Sequence, residues 1–166
     1  MKSIKTLASA ILTAGILSVT AFAADSATQT VTYQVSAINE LSVSSDTVSL
    51  TVNAAVAGSA PTSVSNSATS YAITTNETGR KITAKINTAM SLDDSLTLSI
   101  NLAAPTGGTA LGPKVLTTTE QDLVSGISTL NESGKTITYT LAATSAAGVV
   151  TSASKTVTLT IIAGGV

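Results

Sequence analysis

Apolar and hydroxyl-bearing residues change places at every second position through much of the chain beyond residue 30. Val31, Tyr33 and Val35 alternate with Thr30, Thr32 and Gln34, and Val48, Leu50 and Val52 alternate with Thr47, Ser49 and Thr51. The period returns in Ile82, Ala84 and Ile86, in Leu96, Leu98, Ile100 and Leu102, in Ile137, Tyr139, Leu141 and Ala143, and in Val157, Leu159 and Ile161. Successive side chains of an extended strand point to opposite faces, so each run offers one apolar and one polar face. No long window places apolar residues at i, i+3, i+4 and i+7, as a helix requires. Val and Thr, branched at Cβ, dominate the runs and suit a pleated strand. With weaker runs at 41–44, 71–75 and 114–117, the pattern predicts about eight or nine short strands. It is an all-β pattern: an antiparallel, Ig-like β-sandwich with its hydroxyl faces outward and one short helical turn.

The connections fit that expectation. Asn76-Glu77-Thr78-Gly79 and Asn131-Glu132-Ser133-Gly134 are near copies, followed by Arg80 and Lys135. An Asn that caps its own backbone and a Gly in the left-handed region predict hairpin turns, carried by Asn76 and Gly79 and by Asn131 and Gly134. Both segments also match the N-x-[ST] glycan acceptor pattern, but turn chemistry accounts for them. Residues 57–70 and 103–113 are rich in Gly, Pro, Ser and Thr and are expected to be loops. The helical turn is expected at Thr119, Glu120, Gln121 and Asp122, a Thr N-cap ahead of acidic residues and Leu123-Val124, with Gly126 as the stop. No period of 20 to 50 residues recurs, so a repeat array is not expected.

The first 23 residues read differently. Lys2 and Lys5 precede an apolar run from Leu7 to Val19, and Ala21-Phe22-Ala23 places small residues at −3 and −1 of a cleavage site. This is the layout of a secretory signal peptide over residues 1–23, leaving residues 24–166 as a single β-sandwich domain. The run is short of the roughly 20 apolar residues that span a bilayer, and no second span follows, so no transmembrane anchor is expected in the processed chain. Export to a bacterial periplasm, cell surface or extracellular space follows. Removing Lys2 and Lys5 leaves 6 basic against 9 acidic side chains, a net charge of −3. That balance gives no counterion-release drive toward nucleic acid or acidic lipid.

Composition narrows the chemistry. The chain has no Cys and no His, which excludes thiol nucleophiles, imidazole bases and Cys/His metal centres. Asp93-Asp94, with Ser91 and Ser95, offer oxygen ligands for calcium, but the spacing of a calcium loop is missing and a solvated turn explains them. Glu120 and Asp122 are explained by the helix cap rather than as paired glycosidase carboxylates. Tyr33 and Tyr139 fall in phase with apolar strand faces, so they are expected in or beside the core. Nothing marks one of the many Ser or Thr hydroxyls as a nucleophile beside a lysine. The reading is of a protein that is not an enzyme and has no cofactor and no metal.

The order of a signal peptide, TQTVTYQVSAINELSVS, YAITTN before GRKITAKI, LTLSINLAAP and a closing GKTITYTLAATSAAGVVTSASKTVTLTI resembles small exported β-sandwich proteins of bacterial surfaces. It is similar in layout to spore-coat-U-like and pilin-like subunits. That resemblance implies assembly into surface fibres or coats. The cysteine pair of many usher-assembled pilins is missing here, so the likeness is to cysteine-free fibre subunits.

A physical reason for assembly stands beside the resemblance. Val31, Tyr33 and Val35 form a strand pattern close behind the expected cleavage site, able to pair inside its own sandwich or with a neighbour's open edge. The expected function is a self-associating structural subunit of a surface fibre, coat or biofilm matrix. The alternative is a monomeric module that binds carbohydrate or another surface through its loops, with Asn66, Tyr71, Asn76 and Asn131 as candidates. The expected partner is a second copy of the chain, with other surface proteins or polysaccharide next.

Overall fold

The computed structural model describes residues 25–90 and 95–164. The chain divides between Gln34 and Val35. Residues 25–34, the described part of the first unit, contain no strand and are exposed throughout. The expected signal peptide and Asp93-Asp94 lie outside the described residues.

From Val35 onward the fold is all-β. Nine strands occur among the described residues: β1 (Asn39–Val43), β2 (Val64–Thr75), β3 (Arg80–Ile86), β4 (Leu96–Leu102), β5 (Thr109–Ala110), β6 (Lys114–Val115), β7 (Gln121–Ile127), β8 (Leu130–Ala143) and β9 (Val157–Ala163). They form two antiparallel sheets, one in the order β1-β2-β8-β4-β6 and the other β5-β7-β3-β9. Period-two alternation sends Tyr71 and Ile73 of β2, Ile100 and Leu102 of β4, Ile82, Ala84 and Ile86 of β3, and Leu123 and Ile127 of β7 into one shared core. Burying each large aliphatic side chain contributes about 1.5–3 kcal/mol, so this core holds the two sheets together.

Outside the core, hydroxyls pair across strands. Ser65 and Thr140 share a hydrogen bond of 2.8 Å, and Ser67 and Thr138 one of 3.0 Å, between β2 and β8. On the other sheet Lys81 reaches Asp122 at 3.0 Å and Lys85 reaches Glu120 at 3.4 Å, stitching β3 to β7.

Several expectations need correction. Residues 119–124 are not helical, because β7 begins at Gln121; the helical turn is a 3-10 turn at Ser145–Ala147. Thr117, not Thr119, makes the local turn, donating to the Thr119 carbonyl at 3.0 Å, and a bulge opposite β3 buries both Leu123 and Val124. Residues 64–70, expected as loop, are the first half of β2, and β5 lies inside the second expected loop. Residues 47–52, despite their alternation, join no strand.

The Asn-Glu-x-Gly segments are not hairpin tips. Asn76 to Gly79 arches from β2 in one sheet to β3 in the other, and Asn131 to Gly134 lies inside β8. There Tyr71 pairs with Lys135 and Ile73 with Glu132, so Ser133 and Gly134 oppose Ala72 alone as a bulge. Gly79 (φ +66°) and Gly134 (φ +70°) do take the left-handed region.

Gly164 closes the end of β9 onto this arch. Its N–H donates to the Gly79 carbonyl at 2.6 Å, and a Cβ there would lie 2.7 Å from that same oxygen. Gly164→Ala is therefore expected to push β9 from the arch and cost about 1–3 kcal/mol, read by urea denaturation. An unchanged midpoint would show that the end of β9 is free to move.

Candidate assembly interface

The three residues expected to mediate self-association present their side chains to solvent: Val31 is 72% exposed, Tyr33 89% and Val35 78%. The expectation that Tyr33 sits in or beside the core is not met, since its side chain is exposed. Tyr139 is half-buried against the core, as expected. Water around three apolar groups spaced two apart is unfavourable, and a strand partner removes that cost.

Asn76 holds the chain where this segment joins β1. Its Oδ1 accepts from the Ile38 N–H at 2.8 Å, its Nδ2 donates to the Ser36 carbonyl at 2.8 Å, and its own N–H donates to the Ile38 carbonyl at 3.2 Å. Asn76 thus clamps residues 36–38 instead of capping its own turn. Beside it Glu77 accepts hydrogen bonds from Asn39 and Arg80, which hold its carboxyl below the usual carboxylate range. The clamp and its surroundings fix one end of β1.

The sandwich is open along one side. β1 and β9 are the outer strands of their sheets on that side, and a cleft of about 1470 Å³ runs beside them. Leu41, Leu98, Tyr139, Val157 and Leu159 line it, and all five are half-buried against the core. Val48, Leu50 and Val52 of the unpaired segment line it too, half-buried while their hydroxylated neighbours are exposed. Thr69, 6% exposed, also lines the cleft, and its hydroxyl has no hydrogen-bond partner. Asp46 and Lys155 are the charged residues of the lining, and the Lys155 ammonium is engaged by Thr88 Oγ1 at 2.9 Å and the Ala89 carbonyl at 2.7 Å. Chemically this is a cleft of mixed lining, aliphatic side chains interspersed with serine and threonine hydroxyls, bordered by unpaired strand edge.

Sequence reasoning named Val48, Leu50, Val52, Leu98, Tyr139, Val157 and Leu159 as apolar strand positions, but none of them as the lining of a cleft. Alternation identifies which side chains seek burial but carries no information on which strand edge stays open.

The loop residues proposed for glycan binding do not converge. Asn66 accepts from the Ala68 N–H at 2.9 Å and donates to the Ser49 carbonyl at 3.4 Å, Asn76 is the clamp, and Tyr71 is buried with its hydroxyl donating to the Ala103 carbonyl at 2.6 Å. Asn131 is exposed on β8. Glu120 and Asp122 are taken by Lys85 and Lys81. Among the described residues no three acidic side chains gather as a metal site, and no helix is long and apolar enough to cross a membrane.

The class defined by this fold is an all-β, two-sheet, sandwich-like protein. No protein-family model, curated protein or solved structure matches the chain.

Proposed function

We propose that this is an exported structural protein of a bacterial surface, a subunit that associates with copies of itself by pairing or donating a β-strand. The observation that carries this reading is the exposure of Val31, Tyr33 and Val35, an apolar alternation that belongs to no strand among the described residues. The signal-peptide layout of residues 1–23 supports export, and the likeness in layout to pilin-like and spore-coat-U-like subunits supports a fibre or coat. The chain works by its surfaces and not as an enzyme. A monomeric carbohydrate- or surface-binding module is the second reading, weakened because three of its four candidate residues spend their polar groups on hydrogen bonds within the chain.

The test compares the processed chain with its Val31→Lys and Tyr33→Lys variants by light scattering and electron microscopy. The wild type is expected to polymerise, and each lysine to leave a folded monomer, since a charge on the apolar strand face must be buried unpaired on assembly. Loss of folding in the variants would place the strand inside its own sandwich. A wild type that stays monomeric and binds glycans would replace this reading with the second.

A further inference from the structure

Resting on the self-association reading, we propose that the edge of β9 that no described strand pairs with, and the cleft between it and β1, are the seat for residues 30–35 of a second copy of this chain. Four strands stand at sheet edges: β1, β5, β6 and β9. β5 and β6 have two residues each, too short to pair with six. β1 has five and carries Glu40, a charge of the kind that keeps edges from pairing. β9 has seven residues, none charged, and among the described residues its outer edge pairs with no strand.

The two surfaces match in chemistry and in length. A six-residue strand spans about 20 Å, within the reach of β9. Laid along β9 with Val31, Tyr33 and Val35 toward the cleft, the segment would meet Leu41, Leu98, Val157 and Leu159, the side chains left half-buried at the open side. Thr30, Thr32 and Gln34 would then face solvent beside the exposed Thr158. The incoming segment carries no charge and the cleft has little, so no unpaired ion is desolvated. A buried tyrosine needs a partner for its hydroxyl, and Thr69 offers an unpaired one in the cleft. Val48, Leu50 and Val52, which line the cleft from a segment without strand partners, border the same seat.

The absence of native cysteine makes disulfide mapping clean. Two full chains are mixed under assembling conditions and then oxidised, one carrying Gln34→Cys and the other Thr158→Cys or Thr160→Cys. Side chains directly opposite on neighbouring strands lie about 5 Å apart at Cβ, close to disulfide geometry. Parallel mixtures use Ser42→Cys at the β1 edge and Thr109→Cys at the β5 edge. The expected result is a mixed disulfide from position 34 to 158 or 160 as the dominant cross-linked peptide. Assembly with position 34 linked only to 42 or 109, or to none of the four, would overturn the β9 seat while leaving self-association in place. A wild-type chain that never assembles would remove both.

Discussion

Ile82→Ala is expected to cost about 2–5 kcal/mol of folding stability, while Leu98→Ala in the unassembled chain costs less than about half of that. Ile82 is 0% exposed and sits on β3, which is paired on both sides by β7 and β9, so its truncation leaves a sealed void that neither neighbour can fill. Leu98 is half-buried on the open side, where losing its methyl groups widens a cleft that already meets solvent. Urea denaturation followed by far-ultraviolet circular dichroism measures both, since the chain has no Trp. Equal losses would show that the open side is as closed as the centre. If the β9 seat is occupied on assembly, the penalty at Leu98 should rise in the assembled form, because the same leucine then becomes interior.

The second large effect is alkaline. Burial, with a smaller contribution from the nearby Glu132 carboxylate, pushes the Tyr71 phenol up to about 12 from its ordinary value of 10.0. A group whose folded pKa exceeds its unfolded one contributes stability that is fully present below pH 10 and is lost as pH climbs toward 12. The loss attributable to this residue is on the order of 2 kcal/mol. Tyr71→Phe should remove that part of the alkaline limb, leaving a lesser slope to which burial of Tyr139 contributes. At neutral pH the same variant loses the bond to the Ala103 carbonyl, at a cost of about 1 kcal/mol. Stability measured at pH 8, 10 and 11.5 separates the two effects; parallel wild-type and variant curves would mean that Tyr71 does not govern the limb. Glu132 acts at the opposite end. Hydrogen bonds from Lys135 and Thr106 hold its carboxyl down to about 2, so its contribution is present at neutral pH and fades as pH falls from the ordinary carboxylate range toward 2.

The strands were legible in the sequence wherever alternation coincided with a partner on both sides. Ile82, Ala84 and Ile86, like Ile100 and Leu102, occupy the core as their alternation predicts, with Thr83 of β3 buried as well. Residues 47–52 carry the same alternation and bury the same alternate side chains, yet pair with no strand, because hydrophobic period encodes a face and not a hydrogen-bonding neighbour. The failure at Glu120 has another cause. Thr119 ahead of two acids and Leu123-Val124 reads as a helix cap, but Thr117 makes a turn into β7, and a bulge lets the strand bury two consecutive residues, Leu123 and Val124. The Asn-Glu-x-Gly copies misled because the same backbone chemistry serves an arch between sheets in one place and a bulge within a strand in the other. At the site, Val31, Tyr33 and Val35 were readable from the sequence as an apolar face. The cleft was not, since it is assembled from segments more than a hundred residues apart, with Leu41 and Leu159 on its two bordering strands.

β3 lies between β7 and β9, and both of its neighbours follow it in the chain. During synthesis Arg80–Ile86 therefore emerges with neither flank available, and about 70 further residues must be added before β9 starts. At 5–20 residues per second that wait lasts roughly 4–14 s, during which Ile82 and Ile86 belong to a sticky, unaccompanied segment. A molecule built this way favours whatever holds it unfolded until its last strand has arrived, and its most dangerous moment comes before it has any shape at all.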